Sequence, residues 1–403
     1  MSTQYDVVVV GARVAGASTA MLLAREGARV ALLDRSSYGS DTVSTHGLMR
    51  GGVLQLSRWG LLDEVAAAGT PPIRQTLFEY ADGGSDRVTI RASAGVDALY
   101  APRRLVLDRI LVDAAAAAGV DVAHQTTMTA LLRDDDGRVR GVRARDRRGR
   151  TSELRGAITV GADGIRSTVA AQAGAPFLRR GRAASAVLYR YYADIRATDY
   201  EWAWAAGAGA GFTPTNDGLT CVFVASTPAR LRALRRDGAE RAFDTLLAET
   251  APRLSDRVRS ATPVGRLHGW AGVPGFVRRP WGPGWALVGD AGYFKDPITM
   301  HGITDAMRDA ELLADAIVEA PGGGLTEAVA MARYQETRDR LSSSLYDVTE
   351  SVASYDWDLD QVRALLRGVS SAMSDEVDHL ESLPDRQARG GTASLLPASR
   401  ART

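Results

Sequence analysis

The chain has one cysteine, one lysine and five histidines among its 403 residues. A single thiol, Cys221, excludes an internal disulfide and any multi-cysteine metal site, and it fits a reducing compartment such as the cytoplasm. It stands in the apolar run Cys221–Val222–Phe223–Val224, where a buried strand residue is expected rather than a nucleophile. No charge of one sign predominates: 49 basic residues against 48 acidic ones leave a formal net charge of +1. That balance makes no electrostatic case for a nucleic acid or an anionic membrane as partner. No apolar run is long enough to span a bilayer, and Met1–Gln4 lacks the basic region that opens a signal peptide. A serine triad, a zinc-ligand spacing and a P-loop are also missing, and the histidines and acids are too scattered to propose a metal site.

What is present begins at once. Tyr5–Val10 is a continuous β-branched run, as in a strand buried on both faces. Ala15–Glu26 reads as a helix ended by Gly27, and Arg29–Leu33 as a second buried strand, so a βαβ unit opens the chain. Helices are expected over 51–59, 61–68 and 105–118. Strands are expected over 76–80, 87–91, 121–132, 138–145 and 157–160. From about Ala175 to Pro263 the style changes to strands rich in Tyr and Trp (186–195, 201–205, 219–225) and one charged helix (230–249). Around Trp285 the first style returns, with a strand, a glycine loop and a helix near Thr304–Glu319.

The expected architecture is α/β: a Rossmann-type domain interrupted by a mostly antiparallel sheet and followed by a C-terminal helical region. Residues 1–174 and 265–332 form the first domain, with 72–100 lending strands to the substrate side. Residues 175–264 form the inserted substrate domain, 333–384 are helices, and 385–403 are a disordered tail by composition.

Three motifs carry chemistry. Gly11-Ala12-Arg13-Val14-Ala15-Gly16 lies between the first strand and helix with the spacing G-x-G-x-x-G. Gly11 allows the tight turn, Gly16 allows close helix–strand packing, and the helix N-terminus offers free N–H groups to a pyrophosphate. Asp34 and Arg35 follow the second strand, with Asp34 at the distance suited to a ribose hydroxyl. Arg13 occupies the place of the second glycine. The second motif, Gly161-Ala162-Asp163-Gly164-Ile165-Arg166-Ser167, comes after another buried strand and reads either as a crevice acid or as a plain Asx turn. The third is Gly289-Asp290-Ala291-Gly292 after a strand, followed by Lys295-Asp296-Pro297 and His301-Gly302-Ile303-Thr304-Asp305. Asp290 is delivered to the crevice to hold hydroxyls, and the helix opening at Gly302 can face a flavin edge that gains negative charge on reduction.

In this order and at these intervals, the three motifs resemble the group A flavoprotein monooxygenases, the FAD-dependent aromatic hydroxylases, over most of residues 1–340. The resemblance implies FAD on Gly11, Arg13, Val14, Ala15, Gly16, Asp34, Arg35 and Arg104, with Asp290 and Gly289 at the ribityl chain. It further implies that Pro297, Gly302 and Ile303 lie against the isoalloxazine, and that Asp163 links FAD to the docking place of NADPH or NADH. Arg103 is the one-residue alternative to Arg104. Two departures stand out. Ala170 replaces the arginine that usually ends the aspartate–glycine motif, which leaves open a separate flavin reductase as the electron source. The stretch from Gly289 to Pro297 is closer to the halogenase and geranylgeranyl-reductase branches.

The resemblance therefore implies insertion of one oxygen atom from O₂ into an aromatic or electron-rich small molecule through a flavin C4a-hydroperoxide. The alternatives are a geranylgeranyl-reductase-like activity, a halogenase, or a non-catalytic ligand-binding protein. Lysine usage weighs against halogenation, which needs an early lysine: Lys295 is the only one in the chain. Trp202-Ala203-Trp204 only begins the halogenase tryptophan signature and is expected to be two aromatics on one strand face. Lys295, Pro297, His301 and His46 are the candidate catalytic residues. Either histidine has the intrinsic pKa of a proton shuttle, with a hydrogen-bonded structural role as the alternative.

Overall fold

The computed structural model describes residues 3–322, 325–384 and 386. The tail expected over 385–403 lies outside the described residues, Arg386 apart.

The first strand, Thr3–Val10, sits at the centre of a sheet whose order is Trp281–Gly282, Trp285–Leu287, Thr151–Gly161, Thr3–Val10, Val30–Leu33, Asp121–Ala123. The four neighbouring pairs from Trp285–Leu287 to Asp121–Ala123 are parallel. Val139–Asp146 joins Thr151–Gly161 antiparallel and carries Thr126–Arg133 beside it. Val7–Val10 and Val30–Leu33 are buried, as β-branched strands covered on both faces must be. Each such side chain contributes about 1.5–3 kcal/mol relative to exposure. The Val14–Arg25 helix lies between the Arg104–Ala117 and Gly302–Gly322 helices and buries Ala17, Ala20 and Met21 against them.

The register brings the strand ends level. Val10 pairs with Leu33 and with Gly161, and Gly161 pairs with Leu287. Four parallel strands thus stop at one edge of the sheet, and the residues just beyond them share it: Gly11, Asp34, Asp163 and Asp290.

A second, seven-stranded sheet runs Thr262–Trp270, Ala186–Ala193, Thr220–Ser226, Ala208–Pro214, Tyr200–Ala205, Gln75–Tyr80, Ser85–Thr89. Only the Tyr200–Ala205 pairing with Gln75–Tyr80 is parallel. Alternation divides its two faces. One presents Tyr189, Tyr191, Trp202, Trp204 and Phe223 to Ile298, Met300 and the C-terminal helix Leu359–Glu381. The other packs Leu188, Tyr192 and Phe212 on Phe243 and Leu246 of the Ala239–Thr250 helix. Trp202 and Trp204 stack 6.1 Å apart on the first face, as two aromatics at i and i+2 should.

The expected elements are found, with differences; among them, the helices Thr168–Ala173 and Pro252–Arg259 were not expected, and the strand expected over 157–160 starts at Thr151. The 121–132 strand breaks at Gln125, whose φ of 53° turns the chain from the parallel edge into an antiparallel hairpin. The charged helix over 230–249 is two helices, Pro228–Leu234 and Ala239–Thr250, parted at Gly238 with φ 107°. Strands not expected are Ala208–Pro214, Thr262–Trp270, and the short Phe177–Arg180, Phe276–Arg278, Trp281–Gly282 and Tyr293–Phe294. Ala208–Pro214 opens on Ala and Gly, and Thr262–Trp270 carries Pro263 and Gly265; both lack the β-branched signal and are held as strands by their neighbours. The helical stretch from 333 onward is split into Glu327–Ala353 and Leu359–Glu381, the second opened by a capping box of Asp358 and Gln361.

Candidate functional site

The glycine loop is shaped for close approach. A Cβ on Gly16 would stand 1.8 Å from the Gly11 carbonyl oxygen, and one on Gly11 would stand 2.3 Å from that of Ala162. Gly11 also has φ 107°, which favours glycine. The helix after this loop has no side-chain cap and no acid in its first turn, so the N–H groups around Val14 and Ala15 keep their positive field. Asp34 accepts the Ala12 N–H at 2.7 Å and the Ser36 N–H at 2.6 Å, which ties the second strand to the loop. Arg35 is exposed beside it.

Arg13 does not point freely into the crevice. Its guanidinium donates to the Ser40 carbonyl at 2.6 Å and to Asp108 at 2.8 Å. Arg104 donates to the same carboxylate at 3.1 Å, four residues before it on the helix. Two guanidiniums on one buried acid leave a net positive charge near the glycine loop, where a diphosphate gains most. Arg103 takes another course: it lies 4.8 Å above the Tyr191 ring and faces Asp41 and Asp217.

Asp163 has its carboxylate engaged. It accepts from the Ser167 hydroxyl at 2.5 Å and from the Thr168 and Val169 N–H groups at 2.6 and 3.2 Å, fastening the start of the Thr168–Ala173 helix. Of the two readings open in the sequence, the turn-forming one describes this side chain. Ala170, where an arginine is usual, is buried inside that helix.

Asp290 contrasts with it. Its carboxylate has no hydrogen-bond partner among the described residues and stands partly exposed at the level edge. Burial lifts its carboxyl to about 6, against the pull of Arg104 and Lys295. Gly289 before it has φ 57°, and a Cβ there would press on Ala15, so this turn sits directly on the first helix. An acid raised in this way gains by accepting from hydroxyl groups.

After Asp290 the chain enters a tight loop. Asp296 caps a short turn at Pro297–Thr299, accepting from Ile298 N at 2.9 Å and from Ser185 N at 2.6 Å. Met300 has φ 50°, and the Gly302–Gly322 helix begins two residues later. Gly302 is exposed, with open space where a Cβ would stand, whereas Ile303 is buried. The helix N-terminus therefore opens on unfilled space at Gly302.

Behind that N-terminus lies a buried ion network. Lys295 pairs with Asp305, and burial lowers its amine to about 7. Arg308 donates to Asp305 at 3.0 Å, Asp309 at 2.7 Å, Glu376 at 2.8 Å and the Ser342 hydroxyl at 2.9 Å. His301 meets Glu376 at 2.5 Å, and burial lowers the imidazole pKa. His301, Asp305 and Glu376 have the composition of a metal site, with ligand atoms within 4.8 Å of one another, but their carboxylates already hold Lys295 and Arg308.

His46 lies on the loop before the Arg50–Arg58 helix, against the aromatic sheet face. Its Nε2 bonds the Tyr191 hydroxyl, and its ring stacks on that of Tyr191 at 5.7 Å. Tyr189 takes the Ser44 N–H at 3.2 Å and stacks on His268 at 4.8 Å. The loop is seated on the Pro297 turn, since a Cβ on Gly47 would strike the Met300 side chain. Burial lowers His46 to about 3 and pushes Tyr191 far up, so both are neutral at pH 7.

The structure thus sets Gly11, Asp34 and Asp290 at one edge of the parallel sheet, ties Arg104 to the acid that holds Arg13, and seats the His46 loop on the turn before Gly302. The sequence reading missed Asp108, Tyr191 as partner of His46, Arg308 and Glu376. Only Asp108 had a local signal, its i,i+4 spacing from Arg104.

Comparison with known proteins gives the family and the fold. A family model described as an FAD binding domain matches residues 4–349. The digeranylgeranylglycerophospholipid reductase of Methanothrix thermoacetophila is 27% identical over 351 residues, 82% of each chain. Among solved structures, Pseudomonas aeruginosa PqsL in complex with 2-aminobenzoylacetate superposes with a TM-score of 0.77 at 23% identity, covering 92% of this chain and all of that one. The myxobacterial chondrochloren halogenase CndH gives 0.78 at 22% identity, covering 94% and 91%. These structural likenesses show a shared fold. No described helix is long and apolar enough to cross a membrane. The chain belongs to the FAD-binding-domain family and is an FAD-dependent oxidoreductase.

Proposed function

We propose that this oxidoreductase is a monooxygenase that inserts one oxygen atom from O₂ into a compact aromatic or electron-rich small molecule. The observation that supports this reading is the phenol–imidazole cluster on the sheet face turned toward the Pro297 turn: His46, Tyr191, Tyr189 and His268, with Arg103 over Tyr191. It offers ring faces and neutral donors and acceptors, which suit a planar molecule with a polar substituent.

In this reading Gly11, Val14, Ala15 and Gly16 hold the FAD pyrophosphate together with Arg104, and Asp34 takes the adenosine ribose. Asp290 accepts from the ribityl hydroxyls. Pro297, Gly302 and Ile303 border the ring system, where the positive end of the Gly302 helix and Lys295 favour negative charge. Bound FAD supplies, once reduced, the electrons that activate oxygen. Tyr191 and His46, neutral and bonded to each other, orient the substrate's polar group. Electrons come from NADPH or NADH, or from a separate flavin reductase; Ala170 in the aspartate–glycine motif favours the second source.

A second reading, reduction of a prenyl double bond without oxygen, is favoured by the sequence relatives. One experiment separates the two. The FAD-loaded protein is supplied with reduced nicotinamide or free reduced flavin, and oxygen uptake is followed over a panel of phenols and aromatic amines. Substrate-dependent uptake supports the monooxygenase. Turnover of an isoprenoid alkene under nitrogen, with no uptake on any aromatic, replaces it with the reductase.

A further inference from the structure

Glu376 lies far along the chain from the flavin motifs, in the C-terminal helix, and yet is 1% exposed. Its two oxygens divide their work: Oε2 meets His301 Nε2 at 2.5 Å, and Oε1 accepts from Arg308 at 2.8 Å. His301 directly precedes the Gly302 helix, and Arg308 lies in its second turn. The Arg50–Arg58 helix crosses the same spot on glycines, because a Cβ on Gly51 would come within 3.3 Å of Glu376 and one on Gly52 within 3.0 Å of Thr304.

Charge explains why an acid is needed there. Lys295 and Arg308 are buried cations, and a buried cation without a counter-charge costs several kcal/mol. The groups facing Lys295 are Asp305, Arg308 and Asp309 from the Gly302 helix, His301 just before it, Glu376 from the C-terminal helix, Asp290 from the preceding turn, and the Tyr293 ring at 5.2 Å. Arg308 opposes the charge on Lys295; the carboxylates support it. Burial alone would raise Glu376, but His301 and Arg308 outweigh burial and hold it well below the usual carboxylate range.

We propose that Glu376 is a positioning residue of the redox centre: the C-terminal helix delivers one carboxylate that fixes His301 and Arg308 against the N-terminal turns of the Gly302 helix, so that Lys295 keeps its ion pair with Asp305 beside the flavin. The inference rests on the reading that the flavin edge lies at Gly302. The C-terminal helix is then part of the redox machinery as well as a cover for the aromatic sheet face.

Lys295 is the only lysine, so protein grown on ¹³Cε-lysine gives one lysine NMR signal whose pH titration reports this amine alone. In the full chain, Glu376→Gln lowers the protonation constant of Lys295 by about tenfold, the effect of removing one nearby buried charge. Asp375→Asn, an exposed change on the same helix, leaves it unmoved. If Glu376→Gln does not fold, Glu376→Asp, which retracts the carboxylate by one methylene, gives a smaller fall in the same direction. A Lys295 titration in the folded variant identical to wild type overturns the inference. Adding FAD to the wild-type protein shifts the lysine signal; a signal that bound FAD leaves in place overturns the flavin placement on which the inference rests.

Discussion

Arg13 and Arg104 share one carboxylate, that of Asp108, at 2.8 and 3.1 Å. Arg13 is the more committed of the two, since it also holds the Ser40 carbonyl. Arg104, held by Asp108 alone, is therefore the one assigned to the diphosphate in the proposed function. Arg104→Ala should weaken FAD binding by about 10- to 100-fold, the loss of one charge-assisted contact. Arg13→Gly, which restores the usual glycine, should lower stability by about 1 kcal/mol and should not tighten FAD. Flavin fluorescence titration with thermal melts checks both. Equal losses of FAD affinity in the two variants would contradict the division of roles.

Gly16 and Gly302 should separate folding from binding. Gly16→Ala places a methyl within the Gly11 carbonyl and should cost more than about 3 kcal/mol. Gly302→Ala meets open space in a helix and should keep or raise the melting temperature, by about 0.5–1 kcal/mol. It should nevertheless weaken FAD, because the methyl enters the gap assigned to the flavin edge. Unchanged FAD affinity in Gly302→Ala would remove the flavin from that gap.

Asp290 gives a pH signature. Its folded carboxyl titrates near 6, above its ordinary value near 3.8, so the folded chain binds the extra proton between those values. Stability of the FAD-free protein therefore falls as pH rises through this window, and the cost is complete above pH 6. Asp290→Asn should raise the melting temperature at pH 7.5, by on the order of 1–2 kcal/mol after allowance for partial exposure, and the gain should vanish by pH 4. The same variant should lose FAD affinity. A variant no more stable than wild type at pH 7.5 would show that Asp290 is solvated or paired.

That Gly11, Asp34, Asp163 and Asp290 would share one sheet edge was legible in the sequence, because each stands at the end of a β-branched strand. Parallel pairing makes strand ends converge whatever their separation in the chain. What local pattern leaves open is how each side chain is spent. Asp163 and Asp290 have similar settings in sequence, but the first fastens a helix and the second has no partner among the described residues. Glu376 was invisible for another reason. A lone acid on a helix reads as a solvated face, and only the packing of the C-terminal helix on the Gly302 helix turns it inward. The tyrosines were placed by alternation, which put Tyr189 and Tyr191 on one face; the partner His46 came from a loop whose path depends on Met300.

His46 should contribute no inflection to the pH profile between pH 5 and 8, since burial keeps it neutral throughout that range. Tyr191→Phe should cost about 1–2 kcal/mol of stability by leaving the His46 nitrogen unpaired, and should lower product formation more than FAD binding. Rate–pH profiles of the wild type and His46→Gln check the first point. A wild-type inflection near pH 6.5 that is lost in His46→Gln would show a charged imidazole in the working enzyme.

The most direct test of the account is isotopic. The FAD-loaded protein is reduced, exposed to ¹⁸O₂ with an aromatic substrate that stimulates oxygen uptake, and the product is weighed by mass spectrometry. The account predicts one ¹⁸O atom in the product and one in water. A product without label, or saturation of an alkene that proceeds equally well without oxygen, would contradict it.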